Sequence, residues 1–499
     1  MAGIFNQNIK GKFVQNFIND VANTASNYYI SFGKYFEWPD DNVPPVTNSS
    51  VNSTHYEVNK ELLFGKKLSV SDIAYVAKKN IWTLNTVYDY YDSSDPLLYN
   101  RNYYVVTSLN RVYKCLFNNY GAPSTEEPTL TVSGGDFDTA DGYKWKYMYT
   151  INAALARKFI TDDYIPIIPS PVVSEFAENG ALHVIKVDRS GNNYITAKGY
   201  IESVYSNTFF KIANTNASTI SGAYTGSTFY VYSGDSTGSI SLVKDYVVNT
   251  SGKFVTTNDP IVGLSSTSLY RIDPQIVIVG DGYGAKAISN VDANTGGISS
   301  ITVVERGLNY TYAETSIVAN TYFGAGANCS PIISPKDGHG SDAVSELGCN
   351  TIGISISTSL TDDFPSWANY RQIGLIYNPK AAATLSTYSG STFNQMLNFG
   401  VVRYSAIFNP GEVVQGFSSK ATATVVHMDS SKVYVLYEQG VFQPFETLIS
   451  TSTGKTCIIS SINNKDLVPY SSTVYYYKNI QPINRTNVRS EDVKLYFNF

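Results

Sequence analysis

The sequence predicts a mainly β protein with a few helices and two small β modules set into the chain. Three observations lead there. The chain has 499 residues, 40 of them Tyr and 36 Gly, and only 15% are charged, against roughly 25% in ordinary soluble domains. Tyr, Val, Ile, Thr and Phe suit a pleated, half-buried surface, while the Leu, Ala, Glu and Lys that fill helices are thin. In "DGYKWKYMYTI" (141–151) an extended backbone puts Tyr143, Trp145, Tyr147, Tyr149 and Ile151 on one face and Lys144, Lys146, Met148 and Thr150 on the other. Between 181 and 335, Gly, Ser, Thr and Asn punctuate short apolar runs at the spacing of an all-β module.

The elements follow in order. Phe13, Val14, Phe17, Ile18 and Val21 recur at one, three and four residues, so 8–26 is expected as an amphipathic helix ending near Asn27. "YYISFGKYFEWPDD" (28–41) reads as a strand broken at Pro39, and 40–54 as a Pro/Asn/Ser loop. "VSDIAYVAKKN" (70–80) fits a second helix with Ser71 as N-cap. Strands return from Tyr103 to Ile151, with "YYVVTSL", "VYKCLF" and the turn-rich "NNYGAPSTEEP". "GNNY" (191–194), "GDGY" (280–283) and "GLNY" (307–310) suggest a repeated turn in which Gly takes a conformation costly for other residues and Tyr packs beneath; a binding loop is the alternative. "FNPGEVVQGFSSKAT" and "FQPFETLISTSTGKT" repeat at an offset that matches Phe408 with Phe442, Pro410 with Pro444, Glu412 with Glu446 and Thr422 with Thr456. Two similar β units in a small barrel or sandwich are expected there. "STVYYYKNIQPINRT" and "VKLYFNF" alternate like strands. The expected domains are a scaffold of 1–180, 336–403 and 463–499, an inserted Gly/Tyr-rich β domain at 181–335, and a second insert at 404–462.

Charge and motifs narrow the chemistry. Net charge is −5 and no basic run exceeds a Lys-Lys pair, so no phosphate-neutralising stripe for nucleic acid is visible. The N-terminus lacks the apolar region of a secretory signal and no long apolar run occurs, so a soluble protein made in a cytoplasm, without membrane insertion, is expected. Cys115, Cys329, Cys349 and Cys457 are scattered and read as free, buried thiols. His55, His183, His339 and His427 lie far apart and read as surface or satisfied side chains, although distant residues can converge; "GHG" (338–340) could set a histidine on a flexible turn. "STGKT" (452–456) fails as a phosphate loop, because Ile449 stands where the pattern needs Gly. Asp162-Asp163 and Asp362-Asp363 are adjacent acids that point to opposite faces of a strand, and read as solvated turn residues. No catalytic, cofactor-binding or metal-binding residue is therefore nominated, and no enzyme is expected. The aromatic face of 143–151 reads as core or interface packing, since a sugar platform would set its rings among polar groups and here lysines lie opposite them.

Seven segments together carry a resemblance: "YYISFGKYFEWPDD", "KKNIWTLNTVYDYYD", "YYVVTSLNRVYKCLFNNYGAPSTEEPT", "DGYKWKYMYTI", "KFITDDYIPI", "YRQIGLIYNP" and "LYFNF". In this order they resemble the baseplate wedge subunit, gene product eight, of T-even-type contractile-tailed phages, and most of all its longer cyanophage forms. They run from residue 28 to the last residue and cover most of the chain outside the two inserts. The resemblance implies a mainly β virion protein of the tail baseplate, assembled in the host cytoplasm, its core a layered β-sandwich scaffold with a few peripheral helices from which the two inserted small β modules project. It implies a homodimer within each of six wedges, clamping gene products six, seven and ten and rearranging when the sheath contracts. It brings no catalytic residue. As structural signature it marks Phe32, Gly33, Trp38, Trp82, Tyr113, Cys115, Asp141, Gly142, Tyr143, Trp145, Tyr147, Arg371 and Gln372. The shorter T-even member has little that corresponds to the repeats at 181–335 and 408–459, so these inherit no role. The family's step before the C-terminus is more basic than "NIQPINR" (479–485), and no contact is carried through it. Two other classes stay open: a tail-fibre or adhesin subunit whose Gly-x-x-Tyr module recognises host glycan, and a polysaccharide depolymerase needing convergent acids in a groove.

Overall fold

The computed structural model describes residues 7–47, 51–213, 216–318, 323–358, 364–485 and 490–499. The expected acidic pair Asp362-Asp363 and residues 48–50 of the expected loop lie outside them. The fold is mainly β: 31 strands and five α-helices among the described residues, with two small closed barrels. Two compact units form, Met1–Val76 with Asn350–Phe499, and Ala77–Cys349. The first part of the expected scaffold, 1–180, thus contributes to both.

In the first unit, Gln7–Ala22 is a helix, as the apolar spacing predicts, but it ends at Ala22 and not near Asn27. A five-stranded antiparallel sheet runs in the order Thr392–Asn394, Leu62–Lys67, Tyr28–Gly33, Tyr370–Tyr377, Thr473–Ile483. Its central strand is buried on both faces, which explains why "YYISFG" has no polar alternation. The strand ends at Gly33, ahead of the expected break at Pro39, and the expected loop stops at a helix over Val51–Glu61. The helix expected over 70–80 is absent. Val70–Asp72 makes a single 3-10 turn with Ser69, not Ser71, as its cap, and Ile73–Lys78 is a strand. Ile73, Tyr75 and Val76 are β-branched or aromatic, and pairing of 73–76 with Thr351–Thr358 overrides the helical spacing. Thr351–Thr358 pairs on its other edge with Glu491–Asn498 at the C-terminus.

The same unit carries a closed barrel ordered Leu397–Tyr404, Lys432–Gln439, Thr422–Met428, Val413–Gly416, Thr447–Ser450, Thr456–Asn463. Leu397–Tyr404 is one of its staves, so the barrel begins ahead of residue 404. The internal repeat is physical here. Phe408 and Phe442 are both buried, and Glu412 and Glu446 occupy equivalent places. Each accepts the backbone N–H three residues before it, Asn409 at 3.2 Å and Gln443 at 2.7 Å. Each then reaches across to the other half. Glu446 takes the N–H groups of Ser418 and Ser419, and Glu412 takes Lys455 Nζ at 2.8 Å and Thr453 Oγ1 at 3.0 Å. Burial works against ionising Glu412, but these donors hold its carboxyl at about 2. The lysine of "STGKT" is thereby committed to the barrel.

In the second unit, a four-stranded sheet orders Tyr104–Val106, Arg111–Asn118, Tyr143–Thr150, Phe137–Asp138. Beyond it, Ile298–Glu305, Lys286–Val291, Gln275–Gly280 and Ala313–Val318 form a sheet that packs on the pair Leu182–Asn192 and Ala325–Ile333. Ile185, Val187, Ile276, Ala287, Ile298 and Cys329 fill the space between. A second closed barrel, from Ala197 to Asp273, is spliced into this sandwich after the "GNNY" turn.

The Gly-x-x-Tyr motifs are not three equal turns. Gly191 and Asn193 adopt φ of 62° and 57°, Gly307 and Asn309 φ of 66° and 62°, and Tyr194 and Tyr310 are buried. "GDGY" differs: Tyr283 is 63% exposed. Gly280 and Gly282 instead receive the ring of Tyr310, which would lie 2.5 Å from a Cβ at 282. The motif with two small residues is thus a socket for the tyrosine of its neighbour.

Candidate functional site

The residues marked by the sequence fall into one constellation in each unit. In the first, Tyr28–Gly33 lies beside Tyr370–Tyr377 with Phe32 opposite Ile373 and Gly33 opposite Gln372. Phe32 is fully buried among Phe64, Phe364 and Tyr370, at centroid distances of 5.3, 5.6 and 4.8 Å. Gly33 sits at a register shift where a Cβ would come within 2.9 Å of the Glu61 carbonyl. Arg371 Nε and Nη2 donate to the two Asp41 oxygens at 2.8 and 2.7 Å, and Nη1 donates to the Tyr35 carbonyl. The forked guanidinium matches a carboxylate as an ammonium could not. Its hydrogen bonds hold the Asp41 carboxyl below the usual range. Asp41 also accepts the Trp38 N–H at 2.9 Å, and Trp38 Nε1 donates to the Ile480 carbonyl at 3.2 Å. Gln372 Nε2 donates to Asn479 Oδ1 at 2.9 Å, so "NIQPINR" does contact the signature. "EWPDD", "YRQ" and "NIQ", far apart in sequence, are one clamp.

In the second unit, Tyr113, Cys115, Tyr143 and Trp145 are buried together with Tyr88 and Val105, and Trp82 and Tyr147 pack against them. Tyr143 and Trp145 stack at 5.5 Å. Burial pushes the Cys115 thiol well up, into its neutral form. Asp141 organises the turn beneath. Its carboxylate accepts from Ser124 Oγ, Thr125 N, Glu126 N, Thr139 Oγ1 and Tyr143 N. Gly142 has φ of 82°, and a Cβ there would meet the Asn119 amide at 2.8 Å. Trp82 Nε1 donates to Ser124 Oγ at 3.1 Å, which joins "KKNIWTLN" to the same turn. The rings are core, as the sequence argues, but the five-residue face breaks. A register shift between Val112 and Tyr113 pairs Tyr113 with Tyr147 and Val112 with Tyr149, leaving Met148 as the extra residue of a bulge. Tyr149 therefore turns to the lysine side.

That side is not solvent. Lys114 and Lys146 are buried, at 0% and 1% exposure, in a polar cluster that local sequence does not announce. Lys114 Nζ pairs with Glu346 and lies 4.8 Å from the centre of the Tyr91 ring. Glu346 also accepts the N–H of Gly340 at 2.8 Å and of Asp342 at 3.2 Å. His339, buried on the turn between Gly338 and Gly340, contacts the Tyr91 ring at 4.8 Å and the His183 ring at 4.9 Å. His183 Nδ1 is 2.9 Å from Asp136, which also binds Lys144 at 3.0 Å and Arg306. Burial holds both histidines below their usual range. Burial and then Lys114 bring Lys146 down to about 8. For Asp136 burial acts the other way, but His183, Lys144 and Arg306 prevail and hold it well below the carboxylate range. The carboxylates of Asp136 and Glu346 are each committed to cations or backbone N–H groups, so the cluster cements the sheet at 104–150 to residues 183, 306 and 339–346.

The remaining candidates are dispersed. His55 Nε2 lies 2.6 Å from the Ser472 carbonyl and His427 stacks on Trp367 at 4.3 Å. All four cysteines are free and buried, and Asp162 and Asp163 are exposed. Among the described residues no group of three His, Cys, Asp or Glu is placed to hold a metal ion. No helix there is long and apolar enough to cross a membrane. Neither a protein-family profile nor a curated protein sequence matches this chain.

Proposed function

We propose that this chain is a structural subunit of a contractile-tail phage baseplate wedge, resembling gene product eight of the T-even type. It acts as a homodimer that clamps gene products six, seven and ten, and re-registers its contacts when the sheath contracts. Its place is the virion tail baseplate.

The observation that carries this reading is the convergence in space of segments that lie far apart in the sequence. Arg371 of "YRQIGLIYNP" grips Asp41 of "YYISFGKYFEWPDD" through two hydrogen bonds. Trp82 of "KKNIWTLN" and Asp141 of "DGYKWKYMYTI" meet on Ser124 of "NNYGAPSTEEPT". Such residues brace turns and strand ends, which suits a part that must keep its shape under load. Low charge and many tyrosines fit broad subunit contacts, where aromatics are enriched and Lys and Glu depleted.

Light scattering behind a sizing column tests it. A stable dimer of the 54.8 kDa chain is the expected result. A tight trimer would count against the wedge and favour a fibre.

A further inference from the structure

The closed barrel of the first unit contains its own control. Its halves match position for position, so Gly411 corresponds to Phe445 and Lys420 to Gly454. All four residues take positive φ: 89° at Gly411, 66° at Phe445, 60° at Lys420 and 70° at Gly454. Glutamates then sort these positions into two loop pairs. Glu412 binds Thr453 and Lys455, which joins the Gly411 loop to the Gly454 turn. Glu446 binds the N–H groups of Ser418 and Ser419, which joins the Phe445 loop to the Lys420 turn. One pair meets the left-handed geometry with two glycines, where a Cβ would touch nothing within 4 Å. The other pair places a phenylalanine and a lysine in the same geometry, at a cost in backbone strain. The fold is satisfied by glycine at both positions, so the two side chains are kept for something outside the barrel.

The strained pair also presents apolar surface. Phe445 is 77% exposed, Val441 in the same loop 83%, and Phe417 62%, where the matching position holds Thr451. The Phe417 N–H donates to the Thr447 carbonyl at 2.8 Å, which sets it beside the Phe445 loop, and Lys420 Nζ lies 5.0 Å from the centre of the Phe417 ring.

Area and charge select the partner. Phe417, Val441 and Phe445 expose on the order of 400–500 Å² together, about half of the roughly 800 Å² that each side gives to a stable protein interface. A second copy is therefore not held by this tip. Residues 416–421 and 439–445 contain one lysine and no Asp or Glu, in a chain of net charge −5, and the Glu446 carboxylate that joins them is buried. A projecting apolar tip with an ammonium at its edge suits a bilayer surface. Lipid receives rings without a preformed pocket and offers anionic headgroups to the lysine. We propose that this loop pair dips into an anionic lipid surface, with Phe417, Val441 and Phe445 entering the interface and Lys420 meeting the phosphates, the chain resting on the bilayer without crossing it. The inference is independent of the wedge assignment.

Flotation of the full chain with vesicles of equimolar phosphatidylglycerol and phosphatidylcholine tests it, with pure phosphatidylcholine vesicles alongside. Recovery with the anionic vesicles is expected, and it should fall as salt is raised. Phe445→Gly and Lys420→Gly each install the residue of the matching position, so thermal melts followed by circular dichroism should show no loss of stability. Phe445→Gly should weaken partition about tenfold or more, and Lys420→Gly about fivefold on the anionic vesicles alone. No flotation of the unaltered chain, which would leave the tip to a protein partner, overturns the proposal. So does undiminished flotation of Phe445→Gly, or equal recovery with the neutral vesicles.

Discussion

Replacing Glu346 by Gln should destabilise the Ala77–Cys349 unit by about 3–5 kcal/mol, the usual cost of removing one partner from a buried ion pair. Lys114 is wholly buried and Glu346 nearly so, and once the carboxylate is gone Lys114 keeps only the face of Tyr91. Gln retains an oxygen for the N–H groups of Gly340 and Asp342, so the variant isolates the charge. Lys114→Met should cost less, about 1–3 kcal/mol. Glu346 then keeps both backbone donors, and His339 Nδ1, 3.9 Å away, can take up a proton and stand in for the ammonium. The double variant carries neither charge. It should be more stable than the sum of the single losses by about 1–3 kcal/mol. Differential scanning calorimetry reads the effect, since about 1 kcal/mol moves a midpoint by roughly 2–4 °C in a unit this large. Glu346→Gln should therefore melt on the order of 10 °C early. A Glu346→Gln loss under about 1 kcal/mol, or strict additivity in the double variant, would refute the reasoning.

Acid should loosen the same region. His183 and His339 have folded pKa values below the ordinary 6.5 because burial disfavours their charge. The unfolded chain then binds protons that the native state does not as pH falls below about 6.5, and stability drops by up to about 1.4 kcal/mol per pH unit for each. Urea midpoints that stay flat from pH 7.5 to 5.5 would contradict this. Glycine substitutions should separate φ from space. Gly411→Ala, at φ of 89° with nothing near its Cβ, should cost about 1 kcal/mol. Gly307→Ala, whose Cβ would lie 2.6 Å from the Ala285 nitrogen, should cost at least twice that in chemical denaturation. Glu446→Ala leaves three backbone N–H groups without their acceptor and should cost about 3 kcal/mol, against a smaller loss for Glu446→Gln. Equal effects would mean that the bridge between the two barrel halves is not what Glu446 provides.

The parts of the fold legible in the sequence are those whose cause is local. Alternating rings mark Tyr143–Thr150, the spacing of Phe13, Phe17 and Val21 marks the first helix, and the Glu412/Glu446 repeat marks a barrel whose halves brace each other. The helix expected over 70–80 shows the limit. Its apolar spacing suits a helix, but pairing with Thr351–Thr358 decides the outcome, and that partner lies far along the chain. The alternation places Lys146 opposite the rings, but nothing nearby signals Glu346, His183 or His339, which bury that face. The bulge at Met148, which turns Tyr149 over, depends on a partner strand and leaves no mark in the alternation itself. The "GDGY" motif looks like its siblings, yet its two glycines exist to receive Tyr310. A match between "ITVVERGLNY" and "VIKVDRSGNNY" was the available signal, since it pairs Ile301 with Ile185 and Gly307 with Gly191.

The wedge assignment is tested most directly by a cryo-EM reconstruction of the contractile-tailed particle that carries this chain. The account predicts density for both units, with both closed barrels, at sixfold-related positions in the baseplate, as a pair in each wedge. A baseplate whose wedge density leaves no place for this chain, or density found only in the fibres, would contradict it.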